Sequence, residues 1–230
     1  MKLLSLFSFL IIFNFSFSQI SDYENNEIYF AERLKTKLVE KFPANNNIKG
    51  SMYLTEMNPI RISLFENKVF LGQFNAFNGE MEVSFSDKDQ PYALSKDIKS
   101  YQIEFINEKK IYQNYSYLEL GLPKSEFLVN LYIGNNISLL KKEVIILVLG
   151  EKAASGYEKE KPAEYKRTRD IYYLMLENGN IIRTPKNKKE FVKRFPTQEK
   201  VILDFTKKKK IKMTNEEDLI QLVTFLNSIL

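Results

Sequence analysis

The chain has no cysteine, no histidine and no tryptophan in 230 residues. Without cysteine there is no disulfide, no thiolate metal site, no cysteine nucleophile and no lipid anchor on a cysteine. Without histidine the usual general base near neutral pH is missing, and with it the commonest transition-metal ligand. Ser-His-Asp hydrolysis, Cys-His hydrolysis and ordinary zinc catalysis are therefore excluded. Oxygen-only Ca²⁺ or Mg²⁺ sites, paired carboxylates and Ser-Lys chemistry stay open. Glycine (8) and proline (7) are scarce, which removes collagen-like and linker-dominated readings.

What is present suits a globular protein of one ordinary domain or two small ones. Hydrophobic residues make up 44% and charged residues 27%, and 18 Phe with 13 Tyr make the expected core aromatic. Residues 1–19 read MKLLSLFSFLIIFNFSFSQ. Lys2 is a short basic opening, Leu3 to Phe15 is mostly apolar, and Ser16 and Ser18 are the small residues a signal peptidase needs before a cut at Gln19. The apolar run is shorter than the roughly 20 residues of a spanning helix, and no later segment approaches that length. Removing Lys2 with this leader takes the net charge from +5 to +4, a mild excess that suits solubility better than nucleic-acid binding. The expectation is an exported protein of the periplasm or extracellular space, with no transmembrane segment after signal removal.

Ile28, Ala31, Leu34, Leu38 and Phe42 recur at spacings of three and four and predict a helix over Asn25 to Phe42, ended by Pro43. From Gly50 the period becomes two. Ile60, Ile62 and Leu64 alternate with polar residues, as do Met81, Val83 and Phe85 after Asn78-Gly79. Asn-Gly between alternating runs is a strong hairpin signal. Val144 to Val148 is apolar on both parities, which predicts a strand buried on both faces. A second hairpin is expected around Asn178-Gly179. Asn187 with Glu190, and Thr214 with Glu217, mark two helix starts, with Val201, Ile202 and Phe205 opening a helix between them. The predicted fold class is α+β, with an N-terminal helix, an antiparallel meander of seven to nine strands that is curled or barrel-like, and a C-terminal group of short helices. Its segments are 1–18 signal peptide, 19–49 helix and loop, 50–150 antiparallel β region, 151–163 loop, and 164–230 hairpin plus helices.

Several pieces carry a resemblance: the leader ending in Ser18-Gln19, Lys49-Gly50-Ser51-Met52-Tyr53-Leu54, Glu164-Tyr165-Lys166-Arg167 leading into Asp170-Ile171-Tyr172-Tyr173, Lys188-Lys189-Glu190-Phe191, and Asn215-Glu216-Glu217-Asp218-Leu219. From about residue 49 onward the chain resembles a group of uncharacterised exported proteins of Bacteroidota-type bacteria. The resemblance implies export and strands before helices, and it implies no activity.

Candidate binding residues come from basic and phenolic clusters. Lys166, Arg167 and Arg169 lie beside Tyr165, Tyr172 and Tyr173, a mixture that can hold single-stranded nucleic acid or sugars by stacking, with a glycan or peptide the favoured partner of an exported protein, and that a half-buried strand also produces. Tyr112 and Tyr115, with Tyr101 and Tyr117, form the richest phenol row. Lys207 to Lys210 with Lys212 reads as a solvated helix end. Asp87-Lys88-Asp89 and Glu216-Glu217-Asp218 lack Ca²⁺-loop spacing, and no Ser-x-x-Lys or phosphate-cradling glycine loop is present. No catalytic residue, metal or cofactor is assigned. The reading is a non-catalytic binding or structural module of the cell envelope, with an envelope protein or glycan as partner and no nucleic acid. The alternatives are a glycan hydrolase using carboxylates such as Glu82, Glu104 and Glu119, or a binder of a small apolar ligand inside the curled sheet. Intact-mass measurement of protein recovered from an envelope fraction is expected to give a chain beginning at Gln19. Recovery from the cell interior of a chain still beginning at Met1 would overturn the export reading.

Overall fold

The computed structural model describes residues 31–38, 48–65, 68–85, 90–99, 101–151 and 160–230. Among them, residues 31–34 are helical and the chain is extended directly afterwards as β1 (Lys35–Leu38). The other strands of the large sheet are β3 (Asn58–Ile62), β4 (Phe70–Asn75), β5 (Glu80–Ser84), β6 (Tyr92–Leu94), β7 (Gln102–Phe105), β8 (Lys110–Glu119), β9 (Leu122–Tyr132), β10 (Ile137–Lys142), β13 (Ile171–Leu176) and β14 (Ile181–Arg183). They form one antiparallel sheet of 11 strands in the order β1-β6-β5-β4-β3-β7-β8-β9-β10-β13-β14. Because β1 and β14 are its two ends, the order is open rather than that of a closed barrel. A second sheet of 3 strands joins β11 (Ile145–Val148), β12 (Ala163–Arg167) and β2 (Ile48–Lys49), with β2 parallel to β12.

The protein is thus mostly β, which corrects the α+β expectation with its N-terminal helix. Leu34 and Leu38 are four apart, a spacing that fits one face of a helix and equally one face of a strand. The deciding contact is long-range. β6 would otherwise present an open edge, and β1 pairs with it antiparallel, Leu38 opposite Tyr92. Thr36 Oγ1 donates to Ala93 O at 2.7 Å, and Ser95 N–H donates to Leu34 O at 2.8 Å. The Lys35 ammonium lies 5.0 Å from the Tyr92 ring centre and 5.4 Å from that of Phe85. The rest of the expected helix, the leader, Ser18 and Gln19 lie outside the described residues.

The turns also differ from the simplest reading. Gly79 and Gly179 take positive φ (72° and 79°), but Asn78 and Asn178 do not, and each Asn-Gly sits in a four-residue loop. The two-residue turn with both φ positive is Leu120-Gly121 (53° and 80°), which joins the two longest strands, β8 and β9.

Alternate side chains of these strands face opposite cores. Tyr112 and Phe127 belong to a first core with Ile60, Ile62, Phe74, Met81, Val83 and Phe105, capped by Ile145 and Tyr165 of the small sheet. Its rings interlock: Phe74 and Phe105 stand 5.0 and 5.2 Å from Tyr112, centre to centre. These buried side chains line the inside of the curl. Tyr117 and Leu128 point the other way and meet Leu140, Tyr173 and Ile181, so the second half of the sheet curls until β14 lies against β8. A third core lies between that half's remaining face and three helices, α1 (Lys188–Val192), α2 (Glu199–Lys208) and α3 (Glu216–Ile229).

The helix starts follow from their caps. Asn187 Oδ1 accepts Glu190 N–H and Asn215 Oδ1 accepts Asp218 N–H, both at 2.9 Å. The second cap is one residue beyond the expected Thr214. The apolar run Val144–Val148 corrects another expectation. Its place beside β10 is taken by β13, and β11 becomes the edge of the small sheet, with Ile145 buried but Ile146 and Val148 exposed. The basic tract Lys207 to Lys210 is an exposed helix end, as expected.

One side chain locks the helical layer to the sheet. Asn227 on α3 accepts N–H bonds from Asn136 (3.0 Å) and Ile137 (3.2 Å) and donates to Ile137 O (2.8 Å) and Val223 O (3.0 Å). Gly134 leaves room for it, since a Cβ there would lie 2.5 Å from the Asn227 amide oxygen. Asn227→Ala strands these backbone groups, so urea unfolding is expected to show a loss of about 2–3 kcal/mol, and Gly134→Ala a loss in the same direction.

Candidate anion-binding cleft

Three connections meet at one end of the second half-sheet. The first leaves β12 at Arg167 and turns through Thr168-Arg169-Asp170 into β13. Thr168 fixes this turn by donating its N–H (3.0 Å) and its Oγ1 (3.2 Å) to Val144 O. The second leaves β14 at Arg183. Thr184 N–H donates to Tyr172 O at 2.9 Å, and Pro185 and Lys186 lead to the α1 cap. The third is Met213-Thr214, just before α3. Together they enclose a cleft of about 540 Å³ lined by residues of all three connections. An adjoining depression of about 630 Å³ shares Arg183, Thr184 and Lys186 with it and continues along Lys193 and Arg194.

The cleft rests on a buried ion cluster. Glu143, 4% exposed, lies where the chain passes from β10 to β11. Tyr112 Oη donates to its Oε2, Lys110 Nζ stands 3.2 Å and Arg167 Nη2 3.4 Å from its Oε1, and Lys141 Nζ 3.9 Å. Lys141 also binds Glu216 at 2.7 Å, and Lys110 binds Glu108 at 2.8 Å. Burial, and then the Glu143 charge and hydrogen bond, hold the Tyr112 phenol far above its ordinary pKa. Burial disfavours the Lys110 ammonium, but Glu108 and Glu143 outweigh it and the net shift is upward. Arg167 also donates to Asp170. Burial pushes the Asp170 carboxyl above its ordinary value; Arg167 and Lys141 pull it down, and the charges of Glu143 and Glu216 add to the rise.

Above this cluster the cations are unneutralised. Arg169, Arg183, Lys186 and Arg194 form no ion pair among the described residues. At the floor shared by both depressions, Thr184 is 7% exposed, and its Oγ1 is the buried side-chain polar atom without a hydrogen-bond partner among the described residues. A buried hydroxyl left unpaired costs about 1–3 kcal/mol, so this one stands against the stability of the fold.

Of the residues singled out from sequence, Arg167, Arg169 and Tyr172 line the cleft. Lys166 alternates with Arg167 along β12 and is exposed outside it. Tyr112 and Tyr115 do not share a face. Tyr112 is buried on Glu143, whereas Tyr115 lies on the opposite side of β8 and donates to Asn130 Oδ1 at 2.7 Å. Burial pushes the Tyr115 phenol up to about 12. Tyr172, also raised to about 12 by burial and then by Glu216 and Asp170, is half-buried at the cleft wall. Arg183, Thr184 and Lys186 were missed, although the expected hairpin contained the signal. Its register pairs Tyr173 with Arg183, which sets Thr184 across from Tyr172.

The three strand carboxylates considered for hydrolysis stand apart. Glu82 is buried on β5, with Gln73 and Asn75 bound to it at 2.8 and 3.1 Å. Glu104 is on β7, paired to Arg61 at 3.2 Å. Three strand spacings separate β5 from β7, about 14 Å, beyond the roughly 5–9.5 Å at which two carboxylates share a glycosidic bond. Glu119 lies at the far end of β8, accepting from Tyr173 Oη at 3.0 Å. No helix among the described residues is long and apolar enough to cross a membrane, and no metal-binding group of acidic side chains occurs among them.

Both Tyr112 and Lys110 have folded-state pKa values raised above their unfolded values. Each therefore contributes stability that is complete below its unfolded pKa and is lost as pH rises through and above 10. Urea midpoints measured across the alkaline range are expected to fall for the native chain and to fall less steeply for Tyr112→Phe. An unchanged alkaline slope would contradict the burial of the Tyr112 phenol against Glu143, the first cause of its raised pKa.

No family model, no curated protein and no solved structure matches this chain.

Proposed function

We propose that the protein is an exported, non-catalytic binding module of the cell envelope that takes an anionic ligand in the cleft between the β12–β13 turn, the end of β14 and the start of α3. Export is supported by the leader sequence described above. The anion reading is supported by one observation above all: Arg183 and Lys186, unpaired, flank the buried and unpartnered Thr184 hydroxyl. Guanidinium groups offer two parallel donors to a carboxylate, sulfate or phosphate, and a small side-chain movement would bring the buried hydroxyl within reach as a further donor. Arg167 is already engaged by Glu143 and Asp170, so it shapes the wall, while Arg169, Arg183 and Lys186 carry the free charge.

Thr184→Val tests this reading by separating ligand from fold. It keeps the β-branched shape and removes the unpaired hydroxyl, so the free protein is expected to gain about 1 kcal/mol in urea unfolding. In thermal-shift titrations with sulfate, the native chain is expected to show a rising midpoint. Thr184→Val is expected to show a smaller rise and Arg183→Glu none. Lys209→Glu, on the exposed helix end, leaves it intact. An equal sulfate response in all four proteins would mean that general screening, not this cleft, produces the effect.

A further inference from the structure

Resting on the anion reading, we infer that the ligand is a chain of acidic sugars, a polyuronate-type glycan, that spans both depressions. The two hollows share Arg183, Thr184 and Lys186, and each of about 540 and 630 Å³ is large enough to seat a small organic group rather than a bare oxyanion. Cations continue through both: Arg169 in the first, Arg183 and Lys186 at the junction, and Arg194 in the second. A single carboxylate or sulfate leaves half of this track unused. A polymer with one carboxylate per ring places successive charges along it.

The remaining lining separates sugars from nucleic acid. Asp170 lines the first hollow and Glu190 the second, and the first also carries the hydroxyls of Thr168 and Thr214. Carboxylates and hydroxyls accept hydrogen bonds from sugar hydroxyl groups, which a polyuronate carries on every ring. Single-stranded nucleic acid is held by stacking on open aromatic faces. The aromatic residue lining the first hollow is Tyr172, half-buried against the wall, and none lines the second.

Calorimetric titration of the folded chain with the monomer, trimer and hexamer of galacturonic acid tests the inference. Affinity is expected to rise by about tenfold or more from monomer to hexamer, as linked contacts make the second hollow's binding intramolecular. Arg194→Glu, with unchanged circular dichroism, is expected to lose this length gain while still binding the monomer. Arg183→Glu is expected to lose both. Equal affinity at all lengths would overturn the polymer inference and leave the single-anion site standing. Equal binding of an oligothymidylate of matched charge would replace the glycan by nucleic acid, and equal binding of the methyl-esterified hexamer would remove the need for charge. Binding of neither galacturonate nor sulfate would bring down the anion reading itself.

Discussion

The Glu143 carboxylate has side chains from both sheets gathered around it. Lys110 and Tyr112 reach it from β8, Lys141 from β10 and Arg167 from β12. A carboxylate taken out of water without such partners costs several kcal/mol, and these groups supply the partners. The path of the chain brings them together. After Glu143 the backbone leaves the large sheet. It rises into β11, returns as β12 with Arg167 at its end, and so lays the small sheet over the first core, where Ile145 and Tyr165 close it. Lys141 carries the same network outward to Glu216 in the first turn of α3, at 2.7 Å. One buried charge thereby positions the end of β12 and the start of α3, two of the three walls of the cleft.

The third wall depends on how the sheet divides its faces. Tyr112 and Tyr117 are an odd number of residues apart on β8, so they serve opposite cores. A long antiparallel sheet with only one buried face would leave the other open to water across β8 to β14. Here the reverse side closes on itself through Tyr117 and Tyr173, whose ring centres lie 5.2 Å apart. The obverse is left for the helices, and Asn227 locks α3 there by hydrogen-bonding the β9–β10 turn as a neighbouring strand would. The two curls carry the β13–β14 hairpin end to the same place as the Arg167 turn.

Much of the strand and helix content is legible because it depends on local chemistry. Asn187 caps a helix where a side-chain oxygen followed three residues later by an acid predicts a start, Asn215 caps another one residue beyond the expected Thr214, and the alternating runs at Ile60 and Met81 are strands. The failures lie where a local pattern admits two answers. Leu34 and Leu38 serve either period, and only the open edge of β6 chooses. Val144–Val148 reads as a central strand because its residues are apolar, yet β13 occupies the central place. Tyr112 and Tyr115 look like one phenol row in the sequence, although a separation of three puts them on opposite faces of a strand. Half of the cleft could be read from the basic cluster Arg167–Arg169. The other half required applying the β13–β14 register to the residues after the Asn-Gly turn.

Thr184 is the residue on which the proposed anion reading of the cleft leans most. Among the described residues the other buried or half-buried threonines are paired: Thr168 bonds Val144 O, Thr206 bonds Leu203 O at 2.9 Å, and Thr55 bonds Glu108 Oε1 at 3.0 Å. Valine at 184 would keep the strand-like backbone and the volume without a polar atom to satisfy. Around that hydroxyl, Arg183, Lys186 and Arg169 stand without counter-charges, although acidic residues are near enough elsewhere to neutralise Lys110, Lys141 and Lys142. Like charges gathered without counter-charges and an unpaired buried hydroxyl each lower the stability of the folded chain, and at this cleft the two occur together. Under the anion reading proposed above, a negatively charged ligand would offset the repulsion among these cations, and the free energy so recovered would add to its affinity.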